Sequence, residues 1–152
     1  MTRTSAIALA PVLLLLAACA TAPRGVSAPG AGLAPCPPSP NCVSTEAAAA
    51  RHAMPPIAYT GPAEAAQAHA RAALLAEPRT RIVLEAPGYL RAEARSRIFR
   101  FVDDVEVVID GAARVVRFRS VSRLGHGDLG VNRRRMTRFT ERFRALQAQA
   151  AR

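Results

Sequence analysis

The strongest constraint in this chain is the pair of runs "VEVVID" and "RVVRFRSVS", which flank Asp110-Gly111. Asp-Gly between two alternating apolar runs is the strongest short-range signal for a β-hairpin, because its residues tolerate the left-handed backbone of a tight turn. Val105, Val107 and Ile109 then point to one face, with Val116 and Phe118 opposite them on the partner strand. A two-residue turn at Gly111-Ala112 sets Glu106 opposite Arg117 and Asp104 opposite Arg119. A turn at Asp110-Gly111 slides the register by two and brings Asp104 beside Arg117. Both registers put acids and arginines on the same face, where opposite charges across two strands contribute about 0.2–1 kcal/mol per pair.

The same alternation bears on "FVDDVEV", which places Asp103, Asp104 and Glu106 within four positions. Asp104 and Glu106 share the polar face, whereas Asp103 points with the aliphatic residues toward the core. Three carboxylates cannot converge on one metal ion unless a bulge interrupts the strand at Asp103-Asp104. A salt-bridged strand pair is the plain reading. A polar pocket is the other, built from these acids with Arg119, Ser120, Ser122, Arg123, Asp128, Asn132 and Arg133. The three histidines are scattered, and no Ser-His-Asp or metal-ligand spacing is visible. No cofactor or metal is expected, and a catalytic role is less expected than a binding or structural one.

More strands surround the hairpin. "RIVLE" and "YLRAEARS" flank the turn signal Pro87-Gly88. "RIFRF" extends the β-rich middle, with Ile98, Phe99 and Phe101 supplying its largest apolar groups, and Ile57 to Tyr59 suits a short edge strand. Gly61-Pro62 opens a helix running to about Ala76, since proline fits a first helical turn. Its alanine-rich side requires a close, flat neighbour. A second helix follows "GHGDLG", with Met136, Phe139, Phe143 and Leu146 forming one apolar stripe. The sum is an α+β domain: a small antiparallel sheet of about four strands covered by two helices.

Toward the N-terminus, "CPPSPNC" holds Cys36 and Cys42 with three prolines between them. A structural disulfide is expected there, because two thiolates without histidines make a poor zinc site and a redox pair prefers C-x-x-C spacing. Upstream, Arg3 precedes an apolar run from Ala6 to Ala18, too short for the roughly 20 residues of a membrane span, which reads as a signal-peptide core over residues 1–18. Leu16-Ala17-Ala18-Cys19 resembles a bacterial lipobox. That resemblance implies lipid attachment at Cys19, with an ordinary secretory signal as the alternative. Ala20, rather than an aspartate, favours the outer membrane facing the periplasm over the inner membrane. Residues 19–35 are rich in Ala, Pro and Gly and read as a flexible tether, leaving 36–149 as the single domain.

Formal net charge is +10, and all 21 basic residues are arginine. High-GC coding accounts for the absence of lysine, but the charge itself is real. An exported chain rarely meets nucleic acid, so no nucleic-acid role is expected, and the arginine excess is better matched to anionic headgroups. Arg135, Arg138 and Arg142 form a basic stripe on the last helix, suited either to solvent or to lipid contact.

Three blocks, "CPPSPNCVST", "YLRAEARSRIFRFVDDVEVVID" and "VRFRSVSRLGHGDLGVNRRR", resemble the signatures of the DUF1499 family, in the family's order. The resemblance spans the whole expected domain and implies a shared fold without naming a reaction. It marks Asp103, Asp104, Glu106, Arg119, Ser120, Ser122, Arg123, Asp128, Asn132 and Arg133 as motif positions. The two readings are thus an envelope lipoprotein with a binding or structural domain, and an envelope enzyme or ligand-binding protein using the region around Asp104, Glu106, Arg119, Arg123 and Asp128.

Overall fold

A computed structural model describes Pro23 and residues 25–152. The expected signal peptide and Cys19 lie outside the described residues. In chain order the elements are β1 (Cys42–Ser44), β2 (Ile57–Ala58), α1 (Ala63–Leu75), β3 (Thr80–Ala86), β4 (Tyr89–Arg95), β5 (Val102–Asp110), β6 (Val115–Ser122) and α2 (Val131–Ala150). One antiparallel sheet runs β1-β6-β5-β4-β3, with β2 also pairing with β6. The fold is therefore α+β, with six strands where about four were expected. The two strands beyond the central four are the shortest and extend the sheet beyond β6: β1, three residues long, was not expected, and β2, two residues long, is the short edge strand expected at Ile57 to Tyr59.

Packing of the two layers follows from the side chains. Leu90, Ala92, Val105, Val107, Val116 and Phe118 point from the sheet into a core closed by both helices. On α1 the buried residues are Ala66, Ala70, Ala73 and Leu74. Three methyl-sized side chains on one face let the helix approach the sheet closely, as its alanine-rich side requires. On α2, Met136, Phe139 and Phe143 are buried and Leu146 packs at the margin, with Phe118 and Phe139 meeting edge to face.

The β5–β6 register differs from both sequence-based alternatives. Asp110 pairs with Val115, Val107 with Phe118 and Glu106 with Arg119, so the connection is the four-residue segment 111–114. Asp110 Oδ1 accepts the Ala113 amide at 2.9 Å, and Arg114 takes the left-handed conformation at φ 54°. A side-chain acceptor at the turn's first residue makes the longer loop competitive with a two-residue one. The slip of two preserves which face every side chain occupies. "RIFRF" is also corrected: residues 96–101 form the β4–β5 connection, and Ile98, Phe99 and Phe101 are exposed instead of core.

Part of the segment expected to run free as tether is packed instead. Leu33 is buried, the Ser27 amide donates to Glu106 at 2.7 Å, and Arg119 reaches the Pro35 carbonyl at 3.4 Å. These contacts lie on the sheet face opposite the helices. Among the described residues, the strands, the helices and the apolar core fall within residues 33–150.

Cys36 and Cys42 form a disulfide, and Cys42 is also the first residue of β1, paired with Val121. The bridge fixes an edge strand of only three residues to the rest of the chain. Closing a ring this short stabilises the fold by about 2 kcal/mol on the chain-entropy model. Cys36→Ala with Cys42→Ala should therefore lower unfolding stability by about that amount in urea titration, and an unchanged midpoint would show the bridge to be energetically idle.

Candidate functional site

Strand β5 carries the three acids, and its pleat sends them to two different places. Asp103 lies on the helix side of the sheet, among apolar neighbours. Its Oδ2 accepts from Arg135 Nη2 at 2.6 Å, and both side chains are nearly excluded from solvent. Arg135 also donates to Asn132 Oδ1 at 2.6 Å and to Ser120 Oγ at 3.2 Å. Ser120 Oγ donates to the same Asn132 oxygen at 2.6 Å, while Asn132 Nδ2 donates to Ser122 Oγ and to the Asn41 carbonyl, each at 3.0 Å. A closed polar network thus joins β5, β6, α2 and the residue before β1. Its serines are spent on amide and guanidinium contacts.

On the opposite face, Arg123 grips Asp104 through two bonds, Nε to Oδ2 at 2.8 Å and Nη2 to Oδ1 at 2.7 Å, and reaches Glu93 at 2.7 Å. Such forked, charge-assisted contacts are among the strongest available to side chains. The hydrogen bonds that Arg123 donates to Asp104, with that to Glu93, raise its guanidinium above its usual range despite burial. Burial alone would raise Glu93, but the bonds from Arg81 and Arg123 outweigh it and hold the carboxyl below its usual range. Glu106 accepts from Arg119 Nη1 at 3.1 Å and from the Ser27 amide at 2.7 Å. Tyr89 Oη sits 2.9 Å from Glu106 Oε1 and 3.0 Å from the Ser27 carbonyl, and with one proton it can donate to only one of them at a time. Burial, reinforced by the Glu106 charge, pushes the Tyr89 phenol well above its usual range.

The pairing of acids with arginines was legible; its burial was not. Asp104 and Glu106 are both 0 % exposed, although α1 and α2 lie on the other face of the sheet. The cover comes from Tyr89 and from the segment around Ser27 and Pro35. Only Glu106 meets its arginine directly across the strands; Asp104 faces Val121 and takes its partner from position 123.

The remaining sequence candidates belong elsewhere. Asp128 accepts the amides of Gly130 and Asn132 at 2.9 and 2.8 Å, so it caps the start of α2. Arg133 donates to the carbonyls of Ala53 and Arg51, holding the loop before β2. The ten candidates therefore form a helix-side network, an opposite-face network and two supports of α2, not one pocket. Of the basic stripe, Arg135 alone leaves the surface and is buried on Asp103, while Arg138 and Arg142 stay partly exposed and both pair with Glu77, itself buried just beyond α1. Tyr89, Glu93, Asn41 and Ser27 were missed as members of these networks. Among the described residues no group of three or more His, Cys, Asp or Glu side chains is placed to hold a metal ion.

Residues 32–143 match the family described as protein of unknown function DUF1499. The chain belongs to the DUF1499 family. No curated protein matches it. In this DUF1499 domain the motif residues lie in the two buried networks and the α2 supports.

Buried ion pairs are poor stabilisers, because desolvation offsets their attraction, but removing one partner leaves an uncompensated charge at a cost of about 3–5 kcal/mol. Asp103→Ala should therefore lose stability in that range, while Asp103→Leu combined with Arg135→Met should recover most of it. Urea unfolding of the variants checks this; a single variant losing less than about 1 kcal/mol would mean that the pair is hydrated in solution.

Proposed function

We propose that this chain is the precursor of a bacterial cell-envelope lipoprotein, anchored through acyl chains on Cys19, whose DUF1499 domain has a non-catalytic binding or structural role. The observation that carries the second half is the saturation of the acids. Asp103, Asp104 and Glu106 each accept from a buried arginine, so none is a free base or an open metal ligand. The enzyme reading needs an underused carboxylate in a cleft, and it loses Asp128 to the cap of α2.

For the address, the Cys36–Cys42 bridge supports an oxidising compartment, where such bonds persist. The apolar run ending in Leu16-Ala17-Ala18-Cys19 supports lipid attachment, and Ala20 supports an outer-membrane site facing the periplasm. Several acyl chains on one residue would hold the protein stably, where one chain is marginal.

Two experiments separate the parts of this reading. Cys19→Ser should abolish palmitate incorporation and move the protein from the membrane pellet to the soluble fraction; retention in the pellet sinks the lipobox. Thermal-shift measurements on the chain from Ala20 should show no stabilisation by divalent metals or nucleotides. A metal-induced shift that disappears in Asp104→Asn would overturn the non-catalytic reading.

A further inference from the structure

The β4–β5 connection is the least expected surface of the molecule. Ile98 is 79 % exposed, Phe99 73 % and Phe101 48 %, and the two phenylalanine rings stack on each other in the open. Aromatic and β-branched side chains together at a loop tip form an apolar point that none of the described residues covers. Arg97 and Arg100, interleaved with them, are exposed, and among the described residues neither has an ion pair.

Directly beside this tip lies a cavity of about 290 Å³ lined by Arg79, Thr80, Arg81, Arg95, Ser96 and Arg100. Its lining contains four guanidinium groups, two hydroxyls and no carboxylate. The one acid nearby, Glu93, is shared among Arg81 at 2.7 Å, Arg95 at 3.7 Å and Arg123 at 2.7 Å. Arg79 spends its Nε on the Arg95 carbonyl. Positive charge in the cavity therefore exceeds what the protein neutralises. Arg79 and Arg100 also hold left-handed backbone conformations, φ 55° and 54°, which side-chain-bearing residues adopt sparingly. The fold places arginine where glycine or asparagine would be easier.

We propose that this end of the sheet docks on an anionic bilayer, with a headgroup phosphate in the arginine cavity and Ile98, Phe99 and Phe101 entering the acyl boundary. Guanidinium forks match phosphate oxygens, and an apolar point ringed by arginines matches the junction of headgroups and hydrocarbon. A soluble protein ligand is a worse fit, because the cationic cavity and the apolar point adjoin as they do in an interfacial layer. The envelope reading supplies the membrane. Between Cys19 and Gly25 the chain can extend at most about 20 Å at roughly 3.3–3.6 Å per residue. Gly25 lies against Arg119, so an anchor at Cys19 would keep this face of the domain close to the bilayer.

The test is co-sedimentation of the unacylated chain from Ala20, which retains every described strand and helix, with vesicles. One set is pure phosphatidylcholine, the other carries about one-third phosphatidylglycerol. Binding is expected to the anionic set and to fall with salt. Phe99→Ser with Phe101→Ser should lower it at least tenfold. Arg79→Ala with Arg100→Ala should lower it about 30-fold, taking about 1 kcal/mol, or fivefold, for each arginine near the surface. Arg144→Ala on α2 should leave it unchanged, and the Phe99/Phe101 variant should keep the parent's unfolding midpoint, since those exposed rings stack on each other and not on the core. Equal binding to both vesicle types, or no effect of the tip variants, overturns the proposal. So does stabilisation by millimolar inorganic phosphate without vesicle binding, which would make the cavity a free-anion site. Absence of any vesicle binding overturns it as well. The readout does not involve Cys19, so failure of the lipobox and failure of this site are separate results.

Discussion

Asp103 and Asp104 are consecutive on β5, so the pleat sends one carboxylate under α2 and the other to the opposite face. Neither arrives in water. Each must therefore meet a cation placed by a different part of the chain: Arg135 from α2, and Arg123 from just beyond β6. The requirement propagates. Arg135 needs acceptors for its other donors and finds Ser120 and Asn132, and Asn132 in turn ties in Ser122 and the Asn41 carbonyl beside the disulfide. On the other face, Arg123 draws in Glu93, and Glu106 draws in Arg119, Tyr89 and the segment at Ser27.

Such pairs contribute little net stability compared with an apolar filling of the same volume. What they do enforce is geometry. A one-residue slip of β5 against β6 would exchange its two faces, burying Asp104 under α2 away from Arg123 and turning Val105 outward. An apolar core tolerates some such errors; a buried carboxylate without its arginine does not. The double-sided charge thus penalises wrong registers on both faces at once, while the apolar residues Val105, Val107 and Phe118 supply the driving force for the right one.

Alternation made the two faces of β5 and β6 legible before any coordinates, along with the acid–arginine pairing, the alanine face of α1 and the apolar stripe of α2. These depend on local period, which a sequence carries directly. The failures share a different cause. Arg135 was read as surface because it sits in an arginine-rich run, yet its neighbour is decided by the Asp103 carboxylate 32 positions away. Arg138 and Arg142 stay partly exposed, but both are tied to the buried Glu77, more than 60 positions away. "RIFRF" has the composition of a strand, but β4 already pairs as far as Arg95 and β5 starts at Val102, so its aromatics fall in the connection. The cover over Glu106 had no local signal at all, since an Ala/Pro/Gly segment buries few side chains and binds through its backbone.

The same distribution explains where a strongly basic domain can afford to meet an anion. The acids on β4, β5 and the end of α1 are committed to arginines, so the surplus positive charge is displaced to the periphery, including Arg79, Arg97 and Arg100 at the sheet end. Glu93 connects that end to the interior, because it accepts from Arg81 of the cavity and from Arg123, which holds Asp104. A phosphate in the cavity would compete for Arg81 and leave Glu93 more fully to Arg123. The buried pair would feel that change, because Arg123 Nη2 donates both to Glu93 Oε1 and to Asp104 Oδ1, each at 2.7 Å.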